Sequence, residues 1–379
     1  MKRLLIDVNS IVPYYLSGKV SGIGRTTLEL IQAMAEIADE LPFEIMLYSQ
    51  NMKGLGGKNT GLPFPSRHLY LRHTEFWDTI VAKLSLRERL TGYDIMHIPA
   101  NHEIIRHPEK CIFTLHDAMF MRFQEQQFDH SRMKMIVPPL MQRCKHIITC
   151  SESSKKDIIE TMNIDPEKIT VTYWGIKHEV FYQQNEKEAV KHLLQDKYKI
   201  HLPYFFSVSC GTERKRSDVL VKSYIEFCHH VSTDYDLVLV WNNPPKEVIE
   251  AIKQNGLSEK VHFLSNVPDE DLALLYNGAT SMFFPSMYEG FGLPVLEAMA
   301  CGTPVVTCDN SSLGEVAGDC AIYLDKPVEK SMVETMKGLH TGIYNIDKLR
   351  ADGMERATKF TWKECAEKTA MVYRHCLEI

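Results

Sequence analysis

The feature that most constrains the fold is the stretch at residues 281–308, SMFFPSMYEGFGLPVLEAMACGTPVVTC. Its apolar ends, Ser281–Ser286 and Thr303–Cys308, are typical of strands buried in a parallel sheet. Between them, Met287–Gly292 forms a glycine-containing loop, and Pro294 suits the first turn of the helix that the following residues favour. We therefore predict a strand, a loop, a short helix and a strand, with the loop bringing a ligand to the helix N-terminus.

Two carboxylates accompany this helix N-terminus. The unpaired N–H groups and partial positive charge of a helix N-terminus bind anions such as diphosphates. Glu289 lies in the loop, and Glu297 follows eight residues later in the apolar context LPVLEAMA. A carboxylate in apolar surroundings needs hydrogen-bond partners, and sugar hydroxyls are suitable donors. The alternative is that Glu297 is a solvated helix residue and Glu289 an ordinary loop charge.

A cluster of cations follows another predicted strand. Tyr204–Ser209 has the apolar character of a buried strand, and the next residues read CGTERKR. Gly211 permits a close backbone approach, while Arg214 offers a planar fork of donors and Lys215 a compact charge. At the carboxyl end of a strand, this combination predicts a diphosphate site. The alternative is a solvated basic surface.

The chain begins with a Rossmann-like pattern. An apolar strand at Leu4–Asn9 is followed by SGIGR, which contains Gly22 and Gly24, and by helical periodicity from Thr26 to Ala38. The glycines do not form the dinucleotide fingerprint G-x-G-x-x-G, and no ribose-binding acid lies at the expected distance. This disfavours an oxidoreductase. Without a ligand, two such glycines make only a tight turn.

Two further predicted strands each carry a histidine near their carboxyl ends. His97 lies in YDIMHIP and His116 in CIFTLHD. Ligands of open parallel sheets bind beyond the carboxyl ends of the strands, so both rings are candidates for a binding role. The alternative for His97 is a structural histidine whose hydrogen bonds are satisfied in the core.

Composition disfavours several classes of protein. The net charge of −6 argues against a nucleic-acid partner, and no apolar run reaches the ~20 residues that span a bilayer. The ten cysteines show neither a C-x-x-C pair nor zinc spacing, which predicts reduced thiols in a cytosolic protein. The N-terminus, MKRLLIDVNS, predicts a first strand and not a signal peptide. No D-x-D motif follows a predicted strand, and we expect neither a metal nor a cofactor.

The segment at residues 67–90 mixes basic residues with aromatic and apolar ones. Two interpretations stay open: a basic surface that contacts anionic lipid or an acceptor, or a helix packed on the core with a solvated basic face. The first 180 residues carry 22 Lys and Arg against 21 Asp and Glu, so this half of the chain is the less acidic one.

The pattern E-x7-E in the context F-P-S-x-Y-E-G-F-G-L-P-x-L-E-A-M-A-x-G-x-P-V-V resembles the retaining sugar-nucleotide glycosyltransferases of family 4, and lesser similarities cover nearly the whole chain. The resemblance implies an α/β fold of the GT-B class, with two Rossmann-like domains facing one another across a cleft. Residues 1–180 are then the acceptor-binding domain and residues 181–360 the sugar-nucleotide-binding domain. Residues 361–379 are expected to form a final helix that packs back on the N-terminal domain.

The resemblance also implies roles for residues. The cation pair neutralises the leaving diphosphate, Glu289 accepts from sugar hydroxyls, and Glu297 accepts from ribose hydroxyls. His116 positions the sugar and donates a hydrogen bond to it. Retention proceeds by front-face attack, and the alternative is a covalent intermediate on Glu289. The expected catalytic residues are Glu289, His116, Arg214 and Lys215, and the expected donor-binding residues are Gly22, Gly24, Gly211, Val267, Gly290, Phe291, Gly292, Leu293 and Glu297.

Two residues and one loop depart from the family pattern. Trp174 replaces an asparagine in the motif at the interdomain crossing, and Arg216 stands where asparagine is commoner. Trp241-Asn242-Asn243 follows a predicted strand where the family often has glycine. This last loop is therefore a candidate determinant of donor choice.

The motifs most resemble bacterial polysaccharide mannosyltransferases that use GDP-mannose. The alternative donors are UDP-glucose and a UDP-N-acetylhexosamine, and an alternative of another class is a non-catalytic sugar-nucleotide-binding protein. The expected acceptor is a saccharide or a lipid-linked saccharide. We expect a cytoplasmic location. The resemblance to the family also makes peripheral association with the inner membrane face compatible with this expectation.

Overall fold

The computed structural model describes residues 1–17, 21–53, 61–101, 103–123, 130–201, 203–209 and 211–379. The chain divides into two compact units. Unit 1 comprises Met1–Gly175 together with Thr361–Ile379, and unit 2 comprises Ile176–Phe360. Each unit is built on a parallel sheet of mostly buried strands, as expected for Rossmann-like domains.

Unit 1 contains a seven-stranded parallel sheet in the order β3-β2-β1-β4-β5-β6-β7. The strand order reverses between β1 and β4, where a ligand crevice is expected in such sheets. Its elements are β1 Lys2–Asp7, α1 Val12–Ser17, α2 Gly22–Glu36, β2 Phe43–Gln50, β3 Ser66–Leu69, α3 Glu75–Lys83, α4 Leu86–Thr91, β4 Ile95–Ile98, β5 Cys111–Thr114, α5 Met119–Arg122, α6 His130–Arg143, β6 His146–Thr149, α7 Glu152–Met162 and β7 Ile169–Val171, with α16 Trp362–Leu377 at the end of the chain.

Unit 2 contains a six-stranded parallel sheet in the order β10-β9-β8-β11-β12-β13. Here the strand order reverses between β8 and β11. Its elements are α8 Lys187–Tyr198, β8 Tyr204–Ser209, α9 Ser217–His230, β9 Asp236–Trp241, α10 Lys246–Gln254, β10 Val261–Leu264, α11 Asp269–Gly278, β11 Ser281–Phe284, α12 Leu293–Ala300, β12 Val305–Cys308, α13 Ser311–Ala317, β13 Ala321–Leu324, α14 Glu329–Thr341 and α15 Ile346–Ala357.

Helix α16 belongs to unit 1 although it follows unit 2 in the chain. It packs along α2, and its Tyr373 ring lies edge-on to Phe43 at 6.0 Å. The Tyr373 hydroxyl also forms a 2.6 Å hydrogen bond with His97 Nδ1. The end of the chain therefore completes the core of unit 1.

His97 has the structural role that was the alternative interpretation of its position. The ring is fully buried, and its Nε2 forms a 2.7 Å hydrogen bond with Thr114 Oγ1. Burial, together with the neighbouring His116, lowers the pKa of His97 to about 3. The neutral ring ties β4 to β5 and to α16.

The basic segment at residues 67–90 is divided among β3, α3 and α4. Its Arg87 is buried and forms an ion pair with Glu103 at 3.3 Å. Asp78 is buried in the same segment and accepts a 2.7 Å hydrogen bond from Gln50 Nε2. These contacts favour the interpretation in which the segment packs on the core of unit 1.

Seven of the nine cysteines among the described residues are buried. Nine of the ten lie in that part of the chain, and all nine have free thiols. Burial raises the pKa of the Cys308 thiol to about 11, so it stays protonated at neutral pH. Across the same described ranges, no helix combines the length and apolar character needed to cross a membrane.

Gly175 provides a test of how the end of the chain packs in unit 1. A Cβ at this position would overlap the backbone nitrogen of Trp362 and lie 2.8 Å from its Cα. Because backbone atoms cannot move aside as a side-chain tip can, we expect Gly175→Ala to lower the free energy of unfolding by about 1–3 kcal/mol. Urea unfolding at equilibrium measures this change.

The control is Gly22→Ala, which places a Cβ in open space within α2. It should be neutral or stabilise the protein by up to about 1 kcal/mol, because alanine favours the helix more than glycine does. Equal stabilities of the two variants would contradict the packing described for Gly175.

Candidate functional site

The carboxyl ends of β8 and β11 lie side by side at the point where the strand order of unit 2 reverses. Neighbouring connections leave the sheet in opposite directions at such a point, which opens a crevice for ligands. Arg214 and Lys215 follow β8, and the loop that contains Glu289 follows β11. Residues that lie 74 positions apart in sequence, such as Lys215 and Glu289, therefore meet at one edge of the sheet.

Arg214, Lys215 and Glu289 form an ion cluster in this crevice. Lys215 Nζ lies 2.5 Å from Glu289 Oε1, and a guanidinium nitrogen of Arg214 lies 3.2 Å from the same oxygen. The three side chains are only 11–16% exposed. Arg214 also donates to the Tyr288 carbonyl, and Lys215 Nζ lies 4.8 Å from the centre of the Phe284 ring. These contacts hold both cations at the carboxyl edge of the sheet.

The ion cluster has an excess of positive charge. Burial alone would raise the pKa of Glu289, but Lys215 and Arg214 outweigh burial, so the pKa lies below its ordinary value. Glu289 is therefore ionised at neutral pH, and two cations face one carboxylate. The N-terminus of α12 adds a fractional positive charge nearby. Electrostatically, the crevice is suited to an anionic ligand.

Helix α13 fastens the loop that carries Glu289. Ser311 Oγ accepts a 3.0 Å hydrogen bond from the Glu289 N–H, and Ser312 Oγ lies 2.8 Å from the Glu289 carbonyl and 2.7 Å from that of Phe291. Both serines lie in the first turn of α13, and their hydroxyls bind the loop. Gly292, with φ of +118°, then turns the chain into α12.

Glu297 is buried in α12 and has a protein partner. It is 2% exposed, and its carboxylate accepts a 3.1 Å hydrogen bond from the Tyr276 hydroxyl. A partner was expected for an ionised group in apolar surroundings, and α11 supplies it. The sequence analysis did not identify Tyr276. The only feature of the sequence that could have indicated this contact is a tyrosine among the periodic apolar residues of the helix before β11. The predicted contact of Glu297 with ribose hydroxyls remains a prediction.

Trp241 and Arg216, which depart from the family pattern, both make structural contacts. Arg216 Nε donates to the Pro327 carbonyl at 3.1 Å. Trp241 is buried at the end of β9 and lies edge-on to Phe263 at 6.0 Å. Gly211 has φ of +73°, and a Cβ there would lie 2.9 Å from Cε2 of the Trp241 indole. Gly211 is therefore required by its conformation and by the neighbouring indole.

The other predicted donor-binding residues of unit 2 differ in accessibility. Gly290 and Leu293 are half-buried at the start of α12, and Val267 is half-buried between β10 and α11. The Phe291 ring is buried and lies 6.0 Å from the ring of Phe360. The Phe291 side chain therefore serves the core, and only its backbone is suited to contact a donor.

In unit 1, His116 lies just beyond the carboxyl end of β5 and is buried. Its Nε2 lies 3.4 Å from the Pro99 carbonyl oxygen, which can only accept, so Nε2 carries the proton. Burial lowers the pKa of His116 to about 4, which leaves the ring neutral at neutral pH. Nδ1 is then an acceptor, and it has no hydrogen-bond partner among the described residues. In this geometry the available nitrogen of His116 is an acceptor, whereas the resemblance implied a donor, and the contact of His116 with a sugar remains a prediction.

Trp174 lies beside the His116 ring, with the two ring centres 5.4 Å apart. A cavity of about 20 Å³ adjoins both rings, and five of its twelve lining residues are threonines, among them Thr26, Thr114 and Thr369. This volume holds about one water-sized group. The indole that replaces the family's asparagine thus forms part of a small cavity beside His116.

Gly22 and Gly24 lie inside α2 and not in a turn before it. Helix α2 begins at Gly22, and Ser21 is its N-cap, whose Oγ accepts a 3.1 Å hydrogen bond from the Gly24 N–H. The predicted start at Thr26 was wrong because a serine cap offsets the low helix propensity of the glycines. The Gly24 N–H is therefore occupied by its own cap, and the donor contact expected of Gly22 remains a prediction.

The lowered pKa of Glu289 predicts how stability depends on pH. Because the folded-state pKa lies below the ordinary value of 4.5, the ion cluster stabilises the fold fully above that pH and loses this contribution as pH falls through the folded-state pKa. We expect Glu289→Gln to lower the free energy of unfolding at neutral pH by about 1–3 kcal/mol, since two cations lose their partner. The difference from wild type should shrink below pH 4.5.

Urea unfolding at a series of pH values measures the difference in stability between Glu289→Gln and wild type. A difference that persists unchanged at acidic pH would contradict the ion cluster.

Comparisons with known proteins bear on both units. A model described as Glycosyltransferase Family 4 matches residues 20–180, and one described as Glycosyl transferases group 1 matches residues 180–348. O-antigen chain mannosyltransferase B of Escherichia coli is 27% identical over 94% of this chain and 96% of its own length. O-antigen chain mannosyltransferase RfbU of Salmonella typhimurium is 29% identical, and the match covers 60% of each chain. The match to the serotype-specific mannosyltransferase WbdA of Escherichia coli, at 24% identity, covers 96% of this chain but only 47% of that protein.

Solved structures share the fold over the whole chain. Sucrose-phosphate synthase from Thermosynechococcus elongatus superposes with a TM-score of 0.78 at 16% identity, covering 100% of both chains. Anabaena HepE, solved in complex with UDP and glucose, gives a TM-score of 0.74 at 16% identity and covers 99% of this chain and 100% of its own. These likenesses confirm the predicted GT-B α/β fold. Together, the family models and the relatives show that the chain belongs to glycosyltransferase family 4 and is similar to bacterial O-antigen mannosyltransferases.

Proposed function

We propose that this protein transfers a hexose from a sugar nucleotide to a saccharide acceptor and that unit 2 binds the donor. The observation that carries the proposal is the ion cluster of Arg214, Lys215 and Glu289 at the switch point of unit 2. The ion cluster brings a net positive charge and a carboxylate to one place. A sugar nucleotide presents the complementary pair, a diphosphate and sugar hydroxyls.

The two cations have a direct role in the proposed reaction. When the bond between the anomeric carbon and the donor phosphate breaks, its electron pair moves to the diphosphate. Arg214 and Lys215 stabilise that charge together with the partial positive charge at the N-terminus of α12. Preorganised cations perform here the task that a divalent metal performs in other transferases, and transfer is therefore proposed to be metal-independent.

We propose retention of configuration by front-face attack, with the leaving phosphate oxygen accepting the proton of the acceptor hydroxyl. The alternative, a covalent bond to Glu289, requires a nucleophilic carboxylate. Lys215 and Arg214 both contact Glu289 Oε1, which stabilises the anion and weakens it as a nucleophile. Glu289 instead accepts hydrogen bonds from sugar hydroxyls.

Two buried residues complete the proposed set of contacts. Glu297, oriented by Tyr276, accepts from the ribose hydroxyls. His116 accepts a hydrogen bond from a saccharide hydroxyl at Nδ1, because Nε2 is engaged with the Pro99 carbonyl. Both roles need the unprotonated form of the side chain.

GDP-mannose is the proposed donor, and the relatives named as mannosyltransferases support it. UDP-sugars are the alternative donors, because HepE, which has a similar fold, was solved with UDP and glucose. The same relatives, named as O-antigen chain enzymes, support a saccharide or lipid-linked saccharide acceptor in polysaccharide biosynthesis. A cytoplasmic protein at the inner membrane face fits such an acceptor.

Nucleotide binding tests the donor site directly. A ligand that binds only the folded protein raises its Tm, and we expect GDP and GDP-mannose to stabilise the wild type more than UDP compounds do. Lys215→Ala should weaken diphosphate binding by about tenfold to a hundredfold. The matched control is Lys222→Ala on α9, an exposed lysine that lies 3.7 Å from Asp218. Equal responses of Lys215→Ala and Lys222→Ala would contradict the site, whereas selective stabilisation by UDP compounds would change only the donor.

Turnover tests the chemistry. With donor and a lipid-linked saccharide acceptor, we expect Lys215→Ala and Glu289→Gln each to lower kcat by about a hundredfold or more. Addition of EDTA should leave the rate unchanged, and NMR of the product should show the anomeric configuration of the donor. Nucleotide binding without any turnover would favour a non-catalytic sugar-nucleotide-binding protein, and an inverted product would contradict front-face attack.

A further inference from the structure

Unit 2 contains a cavity of about 280 Å³ at the opposite edge of its sheet from the ion cluster. Its lining includes Pro203, which precedes β8, Thr280, which precedes β11, and Gly302, which precedes β12. In a parallel sheet, residues that precede strands lie at one edge and residues that follow them lie at the other. Because Lys215 and Glu289 follow strands, this amino-edge cavity is separate from the candidate donor site.

The walls of the amino-edge cavity are held by specific contacts. Asn277 fixes the segment that enters α8: its Oδ1 accepts from the Gln184 N–H at 2.7 Å, and its Nδ2 donates to the Tyr182 carbonyl at 3.0 Å. Gly302 has φ of +70°, and the Gln183 amide nitrogen lies 3.1 Å from the position of a Cβ there. The backbone around the cavity is therefore anchored by hydrogen bonds and close packing.

In the part of the chain that the structure describes, the lining carries two cations, Lys187 and Arg350, and no carboxylate. Among the residues that the structure describes, Lys187 has no carboxylate within 4.0 Å. Arg350 lies 3.8 Å from Asp347, whose side chain is 97% exposed, so solvent screens that pair strongly. Both charges are therefore poorly compensated by the protein.

Helix ends contribute smaller charges of both signs. The N-terminus of α8, at Lys187, adds positive potential, while the carboxyl-terminal ends of α11 and α12 add negative potential. Each helix end amounts to about half an elementary charge. The two full positive charges of Lys187 and Arg350 outweigh the net negative potential of these three helix ends. The cavity is therefore suited to an anion.

We propose that the amino-edge cavity binds a phosphate ester. The guanidinium of Arg350 matches two phosphate oxygens, Lys187 supplies a compact charge, and the Gln183 and Gln184 amides offer neutral donors. The volume suits a phosphorylated small molecule or the headgroup of an anionic phospholipid, which share this chemistry.

The first test is made on the full chain with the donor cations removed. The background variant carries Arg214→Ala and Lys215→Ala, which remove both cations of the ion cluster. Pyrophosphate binding at the ion cluster therefore no longer contributes to the titration. Isothermal titration with inorganic pyrophosphate should still show one binding site. Adding Lys187→Ala and Arg350→Ala should weaken that binding about tenfold or more.

The matched control replaces lysines on the same two helices. Lys191 on α8 and Lys348 on α15 have their own partners, Glu188 and Asp352, and neither lines the cavity. Lys191→Ala with Lys348→Ala should leave pyrophosphate affinity unchanged. Urea unfolding of every variant separates loss of the site from loss of the fold.

The second arm distinguishes the two sources of phosphate. If the ligand is a lipid headgroup, the protein should co-sediment with vesicles of phosphatidylcholine and phosphatidic acid. This binding should require Lys187 and Arg350. Pyrophosphate binding without vesicle binding supports a soluble phosphate ester. The proposal is overturned when neither ligand depends on Lys187 and Arg350, or when the control pair weakens binding equally. Because the donor cations are absent from the background, either result is independent of the proposed transferase function.

Discussion

The pairing of two cations with one carboxylate at the carboxyl edge of unit 2 is the interaction on which the site depends. Lys215 and Arg214 come from the turn after β8 and Glu289 from the loop after β11. Three partly buried charges are costly unless each has a partner, and the geometry gives each one. The ion cluster therefore fixes two loops against one another and keeps them charged.

The same arrangement prepares the site for exchange of partners. In the proposed function, an incoming diphosphate, which carries more negative charge than Glu289, binds the same cations. The carboxylate oxygens of Glu289 are then free to accept hydrogen bonds from the hydroxyls of the sugar. In this account one ion cluster serves both the leaving group and the transferred sugar, and the serines of α13 keep the loop in place during the exchange.

Much of the fold follows from local pattern. Apolar runs predicted the buried strands, Pro294 predicted the start of α12, and the E-x7-E motif in its sequence context indicated the family. Strand ends were less accurate: the strand predicted at Leu4–Asn9 spans Lys2–Asp7, because Asn9 leaves the sheet and starts a short 3₁₀ turn. Local pattern identifies the elements better than their ends.

What sequence did not supply are contacts between distant residues. The direction of the His116 hydrogen bond depends on the Pro99 carbonyl, and the partner of Glu297 is a tyrosine on another helix. The serines of α13 bind a loop that lies about two dozen residues away in sequence. Trp241 restricts Gly211 only once β8 and β9 are side by side. Each of these depends on tertiary packing, which no local spacing encodes.

The most direct test of the central claim is a crystal structure of the protein with a bound nucleoside diphosphate. The account predicts that diphosphate oxygens lie within about 2.7–3.2 Å of Arg214 and Lys215 and that Lys215 has left Glu289 for the phosphate. A diphosphate bound elsewhere, with the Lys215–Glu289 pair unchanged, would contradict it.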